Sequence, residues 1–168
     1  VGMYHKTVYC ENERTAGQNW NGTIRSINGG AMDGFVREAG GEPGSMGYWD
    51  GTDLPFYYGL ANEFVLCDRW FASTPCQTLP NRRFLQAATA GGLISSDVNE
   101  VIANPNVPNG NIWERLDAHG ITWADYTIDL ADIMLFVDFY GHHLDKVKTY
   151  EDFLPAAQTG TLPQLSII

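Results

Sequence analysis

The sequence predicts an α/β fold, a mainly parallel sheet with flanking helices, and three observations carry that prediction. After residue 52, β-prone runs alternate with helix-period runs, most of them bounded by a capping residue and a glycine. Hydrophobic residues make up 44% and aromatics 12% of the 168 residues, enough for a core without metal or disulfide staples. Neither an internal repeat nor a linker divides the chain, so residues 1–168 read as a single α/β segment.

The elements follow in order. Glycine and asparagine crowd the first fifty residues, from Asn28-Gly29-Gly30 through Gly40-Gly41-Glu42-Pro43-Gly44 to Asp50-Gly51. That composition predicts connected turns around short elements such as Met32–Glu38. Gly40–Gly47 lacks the Lys-Ser/Thr of a nucleotide-binding P-loop and reads as a plain loop. Asp53-Leu54-Pro55 is a helix start, with Asp53 accepting from first-turn N–H groups. Phe56, Leu60 and Phe64 then recur every four residues and predict a buried face. Trp49, Phe56, Tyr57 and Tyr58 read for the most part as core packing, the alternative being contact with a lipid or an aromatic leaving group.

Phe64–Leu66 and Trp70–Phe71 predict a short strand ending near Ala72. Thr78-Leu79-Pro80 opens a second helix, carried by Phe84, Leu85 and Ala88 and stopped at Gly91-Gly92. Asn104–Asn111 is a Pro/Asn loop whose last residue caps a helix, Ile112–His119, closed by Gly120. Ile121–Tyr126 is β-prone, and Thr149-Tyr150-Glu151-Asp152 resembles a capping box opening a helix that stops at Gly160. Leu162–Ile168 predicts a last strand. An apolar strand at a chain end is unusual for a whole domain, so a partial domain of a longer polypeptide is expected.

Charge narrows the partners. Twenty acids against ten bases leave a net −10, which argues against nucleic acid and gives an acidic membrane surface no attraction. No apolar run approaches the roughly 20 residues of a membrane span. Cys10, Cys67 and Cys76 are odd in number, which fits one disulfide plus a free thiol or a partner outside the sequence. Asn21-Gly22-Thr23 is a glycosylation sequon, and the chain opens on Val1, which leaves room for a removed leader.

Chemistry concentrates between Asp68 and Arg83. There a strand is expected to end, a tight turn to follow, and Thr78 to stand at a helix N-terminus. Free N–H groups and the helix dipole favour an anion at such a place. Asn81 and Arg82, one turn on, are in reach of a bound phosphate. The dipole supplies about 0.3–2 kcal/mol, too little to activate a hydroxyl, so a nucleophilic threonine needs a base or a metal from elsewhere. The plain alternative is that Thr78 is only a helix cap.

Four blocks carry a resemblance: Met46-Gly47-Tyr48-Trp49-Asp50, Asp53 to Ala61, Cys67-Asp68-Arg69-Trp70-Phe71, and Thr78-Leu79-Pro80-Asn81-Arg82. With Asn28 to Phe35, Ile112 to Leu116 and Gly160 to Pro163, they resemble the phosphoesterase family over most of residues 15–168. That family holds non-specific phospholipases C and related acid phosphatases within the alkaline phosphatase superfamily. The resemblance implies an alkaline-phosphatase-like fold and metal-assisted hydrolysis of phosphate esters, phospholipids among them. Thr78 matches the nucleophile, which forms a covalent phospho-enzyme and is itself a metal ligand. Asn81 and Arg82 match a segment that positions phosphate or buttresses the turn. The implied setting is secreted, periplasmic or extracellular, and the implied partner is the remainder of the polypeptide.

Two departures bear on activity. The family takes most ligands of its divalent cation from an upstream Glu-Asn and a downstream acidic segment. Glu11-Asn12 has the letters but lies too near the later blocks, so the other ligands are expected outside this chain. Gln18 stands where the family carries a phosphate-contacting histidine. That leaves open reduced activity, another substrate or another alignment, and with them a non-catalytic fragment or pseudoenzyme acting by binding or assembly.

Other candidates are set aside. Cys76 and Arg82 have cysteine-phosphatase spacing, but Pro80 removes a loop donor and no cation precedes Cys76 to activate it, so Cys76 reads as a structural thiol or half-cystine. His142-His143 with Asp138 and Asp145 reads as a solvated turn, and Asp125, Asp129 and Asp132 as an exposed acidic edge.

Overall fold

The structure is a computed structural model describing residues 2–10, 13–105 and 107–168. The Glu11-Asn12 dipeptide therefore lies outside the described residues. The fold is α/β with parallel sheets and flanking helices, as the alternation predicts. It divides into two compact units, residues 1–76 and 77–168.

In the first unit, β1 (Tyr4–His5) pairs in parallel with β2 (Gly47–Tyr48). A parallel pair needs a crossover, and the turn-rich stretch between them provides it through α1 (Trp20–Ile27) and α2 (Phe35–Glu38). Asn19 caps α1 by accepting from the Gly22 N–H, and Asn28 closes it in the left-handed region. Gly34 lets α2 approach α1: a Cβ there would stand 2.1 Å from the Arg25 carbonyl oxygen. The sequon residue Asn21 lies within α1, on its exposed side.

α3 (Pro55–Glu63) has proline at its start, as expected, but Leu54 is the capping position and Asp53 accepts elsewhere. The predicted buried face is a correction: Phe56, Leu60 and Phe64 are 70%, 42% and 71% exposed. A four-residue period marks an apolar stripe, not the presence of something to cover it. The strand expected over 64–72 is likewise a loop among the described residues, with Val65, Trp70 and Phe71 exposed. Strand propensity needs a neighbouring strand to act on. All three cysteines are free thiols, and Cys76 Sγ lies 3.5 Å from Thr74 Oγ1.

The second unit carries α4 (Thr78–Ala87), α5 (Val98–Ala103), α6 (Ile112–Ala118), β3 (Trp123–Thr127), α7 (Val137–Gly141), β4 (Val147–Thr149), α8 (Tyr150–Thr159) and β5 (Leu165–Ile167). Its sheet runs β4-β3-β5, all parallel, with Asp125 opposite both Val147 and Ile167. Central β3 is buried at four successive positions, as a strand covered on both faces must be. The expected capping box of Thr149 with Asp152 is present, the Asn111 cap proves to be a second one with Glu114, and Gly160 ends α8 in the left-handed region. α4 stops earlier than expected, at Ala87, because Ala88 itself takes the left-handed cap (φ 57°) ahead of Gly91.

Trp113 and Trp123 meet at 4.8 Å between ring centroids and anchor the core with Leu93, Val101, Ile133 and Phe136. Asp125 corrects the acidic-edge reading: it is buried in β3 and accepts from the Ile133 N–H at 2.9 Å. Asp132 is half-buried and paired, and only Asp129 is exposed.

Candidate functional site

Thr78 is the first residue of α4, and its side chain is exposed. The turn ahead of it is fixed by a reciprocal pair: Leu79 N–H donates to Ser96 Oγ at 3.1 Å, and Ser96 N–H donates to Gln77 Oε1 at 3.0 Å. One N–H of the first turn is thus used, and Pro80, buried at the third position, has none. Gln77 and Thr78 are left as the donors this helix end can offer an anion.

Asn81 and Arg82 lie three and four residues on, on the same face as Thr78. Asn81 Nδ2 donates to the Gln77 carbonyl at 3.1 Å, so it braces the turn that presents Thr78. The Arg82 guanidinium is paired with the Asp132 carboxylate, whose other oxygen accepts from Gln86 Nε2 at 3.0 Å. With its side chain half exposed, Arg82 retains room to reach an anion. Arg83, which the sequence reading passed over, is fully buried and holds α4 to the core. Gln18 is exposed in the first unit, immediately before the Asn19 cap of α1.

His142, Asp138 and Asp145 are exposed, as the solvated-turn reading expects, and only His143 departs from it. His143 stacks on Phe139 at 3.9 Å, bonds the Phe139 carbonyl through Nδ1 at 2.8 Å, and faces Asp117 Oδ2 at 3.2 Å. Those contacts use both ring nitrogens. Among the described residues, His142, His143, Asp138 and Asp145 do not assemble three metal-ligating atoms.

His5, Asp50 and Asp53 do, with one ligating atom from each inside 4.8 Å of the others. His5 Nε2 stands 2.6 Å from Asp53 Oδ2 and 3.7 Å from Asp50 Oδ2. The bond to Asp53 holds the imidazole above the ordinary histidine range. The Asp50 N–H, and next His5, hold Asp53 below the carboxylate range, and the Thr52 hydroxyl does the same for Asp50. Tyr9 is shifted upward, chiefly by desolvation and then by its bond to Asp53.

The sequence profile of the phosphoesterase family matches residues 4–168. This chain belongs to the phosphoesterase family. It is 31% identical to non-specific phospholipase C1 of Arabidopsis thaliana over 158 residues, 93% of this chain and 29% of that protein. Against non-hemolytic phospholipase C of Pseudomonas aeruginosa it is 34% identical over 123 residues, 67% of this chain and 17% of that protein. Phospholipase C B of Mycobacterium tuberculosis is 31% identical over 121 residues, 64% of this chain and 23% of that protein. The chain thus spans less than a third of these phosphoesterase relatives.

Sequence reasoning singled out the α4 residues because Thr-x-Pro-Asn-Arg is one continuous run. It missed His5 with Asp50 and Asp53, which are separated by about forty-five residues and meet only through the register of β1 and β2. No local spacing signals that convergence.

Proposed function

We propose that this phosphoesterase-family chain carries the nucleophile-bearing part of a phosphate-ester hydrolase acting on phospholipids or on phosphomonoesters. The observation that carries the reading is the exposed Thr78 hydroxyl at the start of α4, with Asn81 bracing its turn and Arg82 on the same face. Thr78 Oγ attacks phosphorus as the bond to the leaving oxygen breaks, and the leaving alcohol departs with a proton. Water then attacks the phospho-threonine and releases the phosphate or phosphorylated headgroup, restoring the hydroxyl. The N–H groups of Gln77 and Thr78 and the helix dipole bear on the phosphoryl oxygens. Arg82, swinging from Asp132, supplies the bidentate donor.

A divalent cation at that hydroxyl lowers its pKa and neutralises phosphoryl charge when bound. Among the described residues of the second unit, which carries Thr78, no three ligating atoms of His, Cys, Asp or Glu gather. The remaining ligands and the proton acceptor for Thr78 fall to the remainder of the polypeptide in this reading. It also places the protein as secreted or periplasmic, where the Asn21 sequon has use in a eukaryotic source. No described helix is long and apolar enough to cross a membrane.

The test is turnover of p-nitrophenyl phosphate and p-nitrophenylphosphorylcholine with added Mg²⁺, Mn²⁺, Zn²⁺ or Ca²⁺, by wild type, Thr78→Ala and Thr78→Ser. Hydrolysis should fall at least about 10³-fold in Thr78→Ala, and Thr78→Ser should recover part of it. An acid quench should trap phosphate on Thr78. Equal turnover by wild type and Thr78→Ala overturns the assignment. An inert wild type favours the non-catalytic reading, which Gln18 in place of histidine supports.

A further inference from the structure

Both oxygens of Asp50 and Asp53 are used, and the usage is asymmetric. Asp50 Oδ1 accepts from the Thr52 N–H at 2.8 Å and from its hydroxyl at 2.6 Å. Asp53 Oδ1 accepts from the Tyr9 hydroxyl at 3.1 Å. Each carboxylate is therefore held by one oxygen while its Oδ2 faces the same imidazole nitrogen. Asp53 Oδ2 also accepts from the Asp50 N–H at 2.9 Å, which fixes it and leaves a lone pair for His5. Oriented ligands held from behind by protein donors are what metal sites need and surface ion pairs lack.

The place in the fold adds to this. His5 ends β1, and Asp50 follows β2 by two residues, so the group lies at the carboxyl ends of two paired parallel strands. Loops leaving that edge are where ligands bind in open α/β sheets. Charge points the same way: two carboxylates face one imidazole, and a proton on His5 offsets only one of them. A dication balances both.

We propose that His5, Asp50 and Asp53 bind a divalent first-row metal cation of the zinc class at the carboxyl ends of β1 and β2. Imidazole nitrogen with two carboxylate oxygens is a zinc donor set, and three protein ligands leave a fourth position for water or an anion. Tetrahedral bonds near 2.0–2.1 Å separate two ligand atoms by about 3.3 Å. Asp50 and His5, at 3.7 Å, already stand near that spacing. His5 and Asp53, at 2.6 Å, must open by about 0.7 Å to meet it. The side-chain exposures allow that movement: His5 and Asp50 are 38% and 47% exposed, while Asp53 at 11% is the fixed post. The cation replaces the proton that the His5–Asp53 bond shares. This site does not rest on the role given to Thr78.

Titration of the metal-free protein with Zn²⁺ by calorimetry, and with Co²⁺ by absorption, tests the site. Wild type should take up one equivalent with a Kd in the micromolar range. His5→Gln and Asp50→Asn, chosen because both leave the Asp53 anchor in place, should each weaken binding at least tenfold with an unchanged circular dichroism spectrum. In wild type the His5 ring resonances should shift on Zn²⁺ addition while those of His119, His142 and His143 stay. This last readout needs no variant to fold. Equal affinity in wild type and both variants overturns the proposal, as does an unmoved His5 resonance at saturation. Two further outcomes do the same: a Co²⁺–thiolate band that disappears in a Cys10→Ser, Cys67→Ser, Cys76→Ser variant, or no saturable binding below millimolar Zn²⁺.

Discussion

Arg83 Nη2 donates to the carbonyl oxygen of Leu135 at 2.7 Å, tying α4 to the segment that precedes α7. The same nitrogen reaches the Asn104 carbonyl at 2.7 Å and the Val101 carbonyl at 3.4 Å, while Nε donates to Leu135 and Nη1 to Ala90. Desolvation pushes its pKa below the ordinary arginine value. An ammonium cannot reproduce that planar fork. Arg83→Lys should therefore lower the unfolding free energy by about 2 kcal/mol or more, since each abandoned buried acceptor costs about 1–3 kcal/mol. Arg82→Ala, one residue earlier and half exposed, should cost less than about 1 kcal/mol. Urea denaturation of the two variants measures the contrast, and equal losses would contradict it.

Ser96 fixes the turn that presents Thr78. Its hydroxyl is the partner of the Leu79 N–H, and its own N–H reaches back to Gln77. Ser96→Ala should cost about 0.5–1.5 kcal/mol of stability, the worth of one such bond. Amide exchange at Leu79 should quicken while that of the α6 amides stays unchanged. Protection at Leu79 equal to wild type would mean that the helix end is held by something else.

Asn111 shows the value of a legible cap. It is buried, accepts from the Glu114 N–H at 3.0 Å, and receives Glu114 Oε2 on its own N–H at 2.8 Å. Asn111→Ala removes one half of that reciprocal pair beside Trp113, at the base of the core. A loss of about 1–2 kcal/mol is expected. Asn111→Asp, which keeps the acceptor, should lose less, and thermal unfolding of the two variants ranks them.

What the sequence makes legible in this protein is local. Asn111 with Glu114 and Thr149 with Asp152 announce their helices because the capping contact spans three residues. Asn81 is local in the same sense, donating to the Gln77 carbonyl four residues back, whereas the capping position of α4 is Gln77 and not Thr78. Phe56, Leu60 and Phe64 mislead because a period reports a stripe and nothing about its cover. Asp125 reads as edge polarity when counted with Asp129 and Asp132, but the alternation of β3 places it inward, where the Ile133 amide compensates it. His5 is invisible as a ligand until strand pairing brings it to Asp50. Register is a property of two segments together.

Asp125 also sets a pH dependence of opposite sign to the paired carboxylates. Burial raises its pKa above the ordinary aspartate value of about 3.8, against the pull of the Ile133 N–H. A carboxyl whose folded pKa exceeds its unfolded one binds its proton more tightly when folded. Its penalty is therefore absent below about 3.8 and grows as pH rises through the folded value. Glu38, held below its usual range by Arg25, does the reverse and loses its stabilisation as pH falls. Asp125→Asn keeps an oxygen for the Ile133 amide and removes the charge, so it should raise the midpoint of urea unfolding at pH 7 and leave it nearly unchanged near pH 3.5. Subtracting the two pH–stability curves isolates Asp125 from the other carboxylates. A difference that shrinks as pH rises would show that the buried carboxylate is stabilised as the anion, and the sign assigned to it would be wrong.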